Sequence, residues 1–130
     1  MRRAFATGFL IWVVGTCLIR FGGRGLLRPG HTLATLLLYI ASFAVMGVLG
    51  PRICRRLKLE PHAWFEATAL LCLPTLVLDP FSALFFPRVF PNLDPAAAGA
   101  FGGWMLVCCG GAFAGVISAR RRISPASAPR

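Results

Sequence analysis

The sequence predicts an all-α fold, an integral membrane four-helix bundle, on the basis of its composition, length and charge-free segments. Of the 130 residues, 57 % are hydrophobic and 14 % are charged, and the mean hydropathy is +0.72. Soluble domains are about one-quarter charged, so this apolar excess needs lipid to bury it. Four spans of about 20 residues each fit within the length. This composition excludes a soluble enzyme and a largely disordered chain.

The first span is predicted at residues 4–22. Sixteen uncharged residues separate Arg3 from Arg20, and as a helix they cover about 24 Å, less than the roughly 30 Å hydrocarbon core. We therefore expect Arg20 to lie at or near the interface. Thr16, Cys17 and Leu18 provide no A-x-A cleavage site, so we expect a retained helix rather than a signal peptide.

The second span is predicted at residues 32–50, which carry no charge. The third is predicted at 63–86. It contains Pro74 and Pro80 as well as two carboxylates, so we expect a kink, or an exit from the membrane near Asp79.

The fourth span is predicted at residues 96–119, which are uncharged and are followed by three arginines. Together the spans form a transmembrane domain over residues 1–123. The small, polar, proline-containing segment 124–130 is predicted to be a disordered tail.

The basic residues predict the orientation, because Lys and Arg near span ends favour the cytoplasmic side. Of the two sets of alternate connections, one holds ten basic residues and the other holds Arg20, Arg24, Arg28 and Arg88. We therefore expect a multi-pass inner-membrane protein with both termini in the cytoplasm. Its net charge of +10 indicates a lipid bilayer with anionic headgroups as partner and, without a soluble platform, no nucleic acid. A single lysine among 14 basic residues suggests a GC-rich bacterial genome.

Glycines on the fourth span predict a helix-packing face. They lie on an i, i+4 row that is interrupted only by Val107, and they comprise Gly99, Gly103, Gly111 and Gly115. Small residues let membrane helices approach closely. We expect packing within the bundle, with Gly8 and Gly15 of the first span as a receiving face. The alternative is a homo-oligomer formed through the fourth span.

Three charged residues are candidates for intramembrane polar or transport roles: Arg20, Glu66 and Asp79. Such groups are costly at membrane depth and are functional candidates for that reason. Glu66 and Asp79 lie 13 residues apart, about 20 Å along a helix, so they cannot form a carboxylate pair. Arg20 and Asp79 share one level in the predicted topology, which suggests an ion pair. The alternative is that each reaches interfacial water separately.

Aromatic residues follow the third span. We expect Phe81, Phe85, Phe86 and Phe90 to form an interfacial anchor, with Arg88 reaching lipid headgroups or Asp94. A structured re-entrant cap is the alternative.

The remaining reactive side chains predict no cofactor, metal or catalytic site. His31 and His62 lie at opposite ends of the predicted bundle, so they cannot ligate one haem. The five cysteines show no C-x-x-C spacing. No nucleotide-binding, zinc-protease or serine-hydrolase motif is present, and we expect the chain not to be an enzyme.

The segments RRAFATGFLIWVVGT, EATALLCLPTLVLD and especially FFPRVFPNLDPAAAGAFGGW resemble a family of small four-span bacterial membrane proteins of unknown function. The resemblance implies no activity, ligand or catalytic residue. We expect a structural or accessory membrane protein without catalytic activity. The alternative is a small oligomeric transporter or channel subunit using Glu66 and Asp79.

Overall fold

The structure is a computed structural model that describes residues 1–123, and the tail predicted at 124–130 lies outside the described residues. The described part is helical and contains no strand. Its α-helices are α1 (Arg2–Gly22), α2 (Thr32–Arg56), α3 (Trp64–Leu84), the short α4 (Phe86–Val89) and α5 (Ala98–Ile123). The four long helices are long and apolar enough to cross a membrane. A helix suits such a segment because its backbone hydrogen bonds are satisfied internally.

Two of these helices continue through prolines. α2 runs past Pro51 to Arg56, and α3 runs past Asp79 and Pro80 to Leu84. Each proline removes one backbone hydrogen bond, and the remaining bonds hold the helix on both sides. α3 therefore ends about one turn after Asp79, and the kink or exit from the membrane expected near Asp79 stays a prediction.

The long helices form a packing series in the order α1, α3, α5, α2. α1 packs against α3, α3 against α5, and α5 against α2, whereas α1 and α2 make few contacts with each other. α1 and α3 run parallel to each other, as do α2 and α5. Gly8 of α1 meets Leu71 of α3, and Gly47 of α2 meets Gly115 of α5. α3 and α5 are thus central and carry most of the buried residues, while α1 and α2 flank them.

Buried side chains form three clusters along the helix axes. One cluster lies at the end where α2 and α5 terminate and contains Ala4, Cys54, Trp64, Ala67 and Val116. The middle cluster contains Leu71, Cys72, Cys109 and Ala112. The cluster at the opposite end contains Ile19, Leu27, Phe86, Phe90, Leu93, Ala97 and Phe101.

The segment 85–94, which we call the aromatic cap, closes this opposite end of the bundle. The rings of Phe86, Phe90 and Phe101 pack with centroids 5.0–5.7 Å apart, and all three are at most 1 % exposed. The expected anchor is therefore wrong for Phe86 and Phe90, because the chain folds back and buries them under α5. Phe81 and Phe85 remain exposed.

Candidate functional site

Asp79 is the charged residue that the structure buries most deeply among the helices. It projects from α3, is 5 % exposed, and accepts a hydrogen bond at Oδ1 from the indole Nε1 of Trp12 at 2.7 Å. Its Oδ2 is also buried and has no hydrogen-bond partner among the described residues. A buried carboxylate oxygen without a partner has a high desolvation cost. Asp79 therefore retains an acceptor for a proton or for another donor.

The close packing of α1 on α3 brings Trp12 to this carboxylate. A Cβ at Gly8 would overlap the backbone of Leu71, so the absent side chain lets the two helices meet. Trp12 lies one turn after Gly8 and therefore on the same face of α1. The glycine fixes the approach of the helices, and the next turn delivers the indole to α3.

Two cavities adjoin Asp79. The first has a volume of about 120 Å³ and lies among α1, α3 and α5, where Trp12 and Thr16 contribute to its wall. The second has a volume of about 150 Å³ and lies between α3 and α5. Its wall includes Leu76 and Leu106, whose side chains are 41 % and 63 % exposed on the outer surface. Asp79 therefore faces an interior space on one side and a laterally placed space on the other.

Three cysteines contribute to the wall of the inner cavity. Cys72 of α3 packs in the middle cluster with Cys109 of α5, and Cys108 lies beside it on the cavity wall. All five cysteines are free thiols. Within residues 1–123, no three or more His, Cys, Asp or Glu side chains are grouped so that they could hold a metal ion. The thiols make this cavity small and weakly polar.

The suggested ion pair between Arg20 and Asp79 is not formed. Arg20 is exposed, and its Nη1 donates to the backbone carbonyls of Val89 at 2.6 Å and Arg88 at 3.4 Å. Asp79 bonds to Trp12 instead. The reason is that the aromatic cap folds over the end of α1 and presents backbone carbonyls to the Arg20 guanidinium. The Trp12 indole occupies the position beside the Asp79 carboxylate.

Glu66 lies apart from this site. It is exposed in the first turn of α3, at the opposite end of that helix from Asp79. The two carboxylates proposed for transport are thus not brought together. Asp79 alone of the pair adjoins a cavity.

The glycines predicted for helix packing occupy different positions. A Cβ at Gly103 would meet the Tyr39 ring, and a Cβ at Gly111 or Gly115 would overlap the backbone of α2. Gly99 has open space around it. The row therefore packs against α2 rather than against the first span, where Gly15 is also open and Gly8 contacts α3.

Sequence reasoning missed the polar contacts made by aromatic side chains. Besides Trp12, the indole of Trp104 donates to Ser42 Oγ at 2.7 Å, and Tyr39 donates to the carbonyl of Ala100 at 2.6 Å. Trp and Tyr normally concentrate at the membrane interfaces, and a buried indole N–H requires an acceptor. The position of Trp12 in the middle of its span was therefore a signal that a polar partner faces it.

A family of unknown function (DUF5367) matches residues 26–121. No curated protein and no solved structure matches the chain. The match covers α2, α3, the aromatic cap and nearly all of α5, and so includes Asp79 and the glycine row. The chain belongs to this family of unknown function.

Proposed function

We propose that the chain is a multi-pass membrane protein that binds a proton, in exchange for an organic cation, at Asp79, and that it serves as a small transporter subunit. The observation that carries this proposal is the unpartnered, buried Oδ2 of Asp79 between two cavities. An ionised carboxylate is costly in an apolar interior, and either a proton or a cation removes that cost.

Competition for one carboxylate provides a physical basis for exchange. A proton on Asp79 removes the charge that would attract a cation, and a bound cation disfavours the proton. The cavity between α3 and α5 lies beside exposed apolar residues, which favours an amphipathic organic cation that enters from the lipid. A complete path across the membrane requires at least a second copy of the chain, since the two cavities of one copy are small.

A structural or accessory role without catalysis is the second candidate. The hydrogen bond between Trp12 and Asp79 ties α1 to α3, and this observation favours a carboxylate that serves packing. In that case Asp79 would contribute to stability and to no flux.

We further propose an inner-membrane location with both termini in the cytoplasm. The support is the excess of basic residues on the connections assigned to that side. Reporter fusions at each terminus test the orientation, and opposite locations of the two termini would overturn it.

The test of transport uses the purified full chain in liposomes that enclose the pH-sensitive dye pyranine, with ethidium as the probe cation. We expect an ethidium gradient to drive proton movement and Asp79→Asn to abolish it. The asparagine retains an oxygen that can accept from Trp12, so the helices should stay packed. Glu66→Gln is the matched control, because it removes an exposed carboxylate from the same helix, and it should preserve the flux.

A second readout measures proton binding itself. Infrared difference spectra of the same liposomes across a pH titration should contain a carboxylic acid C=O band that Asp79→Asn removes and Glu66→Gln retains. Loss of the band and the flux together supports the transporter. If Asp79→Asn leaves both unchanged, or if it lowers only the unfolding midpoint, the transporter proposal is overturned in favour of the structural role.

A further inference from the structure

A groove between α2 and α5, remote from Asp79, has the features of a binding site. The two helices touch where Gly47 meets Gly115 and end at Arg56 and Ile123 on the same side of the molecule. Residues of both helices around this contact line an open groove with a volume of about 370 Å³. We call this space the arginine groove.

Three arginines line this one groove. Arg52 and Arg55 come from α2 and Arg122 comes from α5. No carboxylate among the described residues lines the groove. All three arginines are exposed, and an anion that binds in the groove between them is attracted by their like charges. Arginine's planar fork favours a phosphate, which accepts two parallel hydrogen bonds.

Local structure holds the α2 side of the groove in place. The guanidinium carbon of Arg55 lies 5.7 Å from the centre of the Trp64 ring, in cation–π geometry. After Arg56, α2 closes with hydrogen bonds from Lys58 N to Arg55 O and from Leu59 N to Cys54 O. Lys58 has φ of 54°. These features define a Schellman motif, which fixes the last turn of the helix.

The other walls of the groove are apolar and open toward the outer surface. Val48 is 47 % exposed and Ile123 is 43 % exposed, and both line the groove together with Pro51. Ser118 adds a hydroxyl. Arginines beside lipid-facing apolar residues suit a ligand with a phosphate and an acyl chain. We propose that the arginine groove binds the phosphate of one anionic phospholipid, with its acyl chain along Val48 and Ile123.

If the arginines only stabilised the helix ends, any arginine in the last turn of α2 or α5 would contribute equally. Cations in the last turn stabilise any helix through its dipole, and Arg56 and Arg121 belong to the same two helix ends without lining the groove. The variant pair Arg56→Gln with Arg121→Gln therefore removes the same charge from the same helices. It is a matched control for Arg52→Gln with Arg122→Gln.

The experiment is native mass spectrometry of the purified full chain in detergent, titrated with phosphatidylglycerol or with phosphatidylcholine. We expect one phosphatidylglycerol per chain, bound more tightly than phosphatidylcholine. Removal of two of the three guanidinium groups should weaken the binding of phosphatidylglycerol by about 30-fold. The control pair should change it by less than threefold. Arg52→Lys with Arg122→Lys retains charge but loses the fork, and should give an intermediate loss.

Three results would overturn the proposal. Equal losses in the groove variant and the control would assign the binding to net charge. An unchanged affinity in the groove variant would remove the site. Displacement of phosphatidylglycerol by millimolar inorganic phosphate would identify a free anion, rather than a lipid, as the ligand. Equal helical circular dichroism spectra for all variants verify that each is folded.

Discussion

The carbonyl oxygen of Gly47 points at Gly115 across the interface between α2 and α5, so closely that a Cβ on Gly115 would overlap it. Pro51 lies four residues after Gly47 and has no N–H to donate to this carbonyl. The oxygen is therefore left for the neighbouring helix, and a glycine Cα–H is the group that can come close to it. A helix-breaking residue on α2 and a bare backbone on α5 thus serve one contact.

Gly115→Ala is expected to destabilise the protein by about 1–3 kcal/mol, because the added methyl group must push two backbones apart. The measurement is the unfolding midpoint in mixed detergent, followed by circular dichroism. Gly99→Ala is the matched control, since a Cβ there meets open space. Equal destabilisation by the two substitutions would contradict the close contact.

Trp12→Phe is expected to destabilise by about 1–3 kcal/mol, because both oxygens of the buried Asp79 carboxylate are then left without a donor. The same substitution in an Asp79→Leu background should cost less, since no carboxylate is left unpaired. A double-mutant cycle of the free energies of unfolding should give a coupling of about 1 kcal/mol. A coupling near zero would mean that the bond contributes nothing to stability.

Phe90→Ala is expected to cost about 3–5 kcal/mol, because it removes a fully buried ring and leaves a cavity in the aromatic cap. Phe81→Ala should change stability by less than about 0.5 kcal/mol, since Phe81 is exposed. Chemical unfolding of both variants in one detergent provides the comparison. Similar costs for both would support an interfacial anchor and contradict the cap.

Arg20→Met is expected to loosen the aromatic cap without unfolding the helices. Loss of the hydrogen bond to the Val89 carbonyl at 2.6 Å, worth about 1 kcal/mol, corresponds to an open population of the cap that is about fivefold larger. Amide hydrogen exchange over residues 85–94 measures that opening. Arg24→Met removes an equal charge from the adjacent turn and should leave the exchange unchanged.

Much of the helical architecture follows from the sequence, whereas the partners of the helices do not. Long apolar segments identify the four apolar helices, since hydropathy depends only on local composition. The glycines of α5 pack against α2, and this pairing is a tertiary contact that local sequence does not specify. In the sequence, nothing distinguishes Gly47, which contacts α5, from Gly15, which is open. Burial of Phe86 and Phe90 likewise depends on the chain folding back over α1.

The sequence identifies one residue of the candidate site, Asp79. It does not predict the hydrogen bond that Asp79 accepts from Trp12. Asp79 stands out because a carboxylate within an apolar segment is costly wherever it lies. By charge, the sequence suggests either an ion pair with Arg20 or separate access of both groups to interfacial water, whereas in the structure the indole of Trp12 donates to the carboxylate without a second buried charge. Glu66 looks equivalent to Asp79 by residue type. Burial separates the two, together with the hydrogen bond from Trp12 and the cavities that adjoin Asp79.

The packing series has a consequence for biosynthesis. α1 contacts chiefly α3, and α2 contacts chiefly α5, so each of the first two helices leaves the ribosome well before its partner has been made. The hairpin of α3 and α5 is completed when α5 has been translated, after the aromatic cap. A nascent chain arrested before α5 would hold α2 and α3 without this neighbour, so the packing series is completed after synthesis of α5.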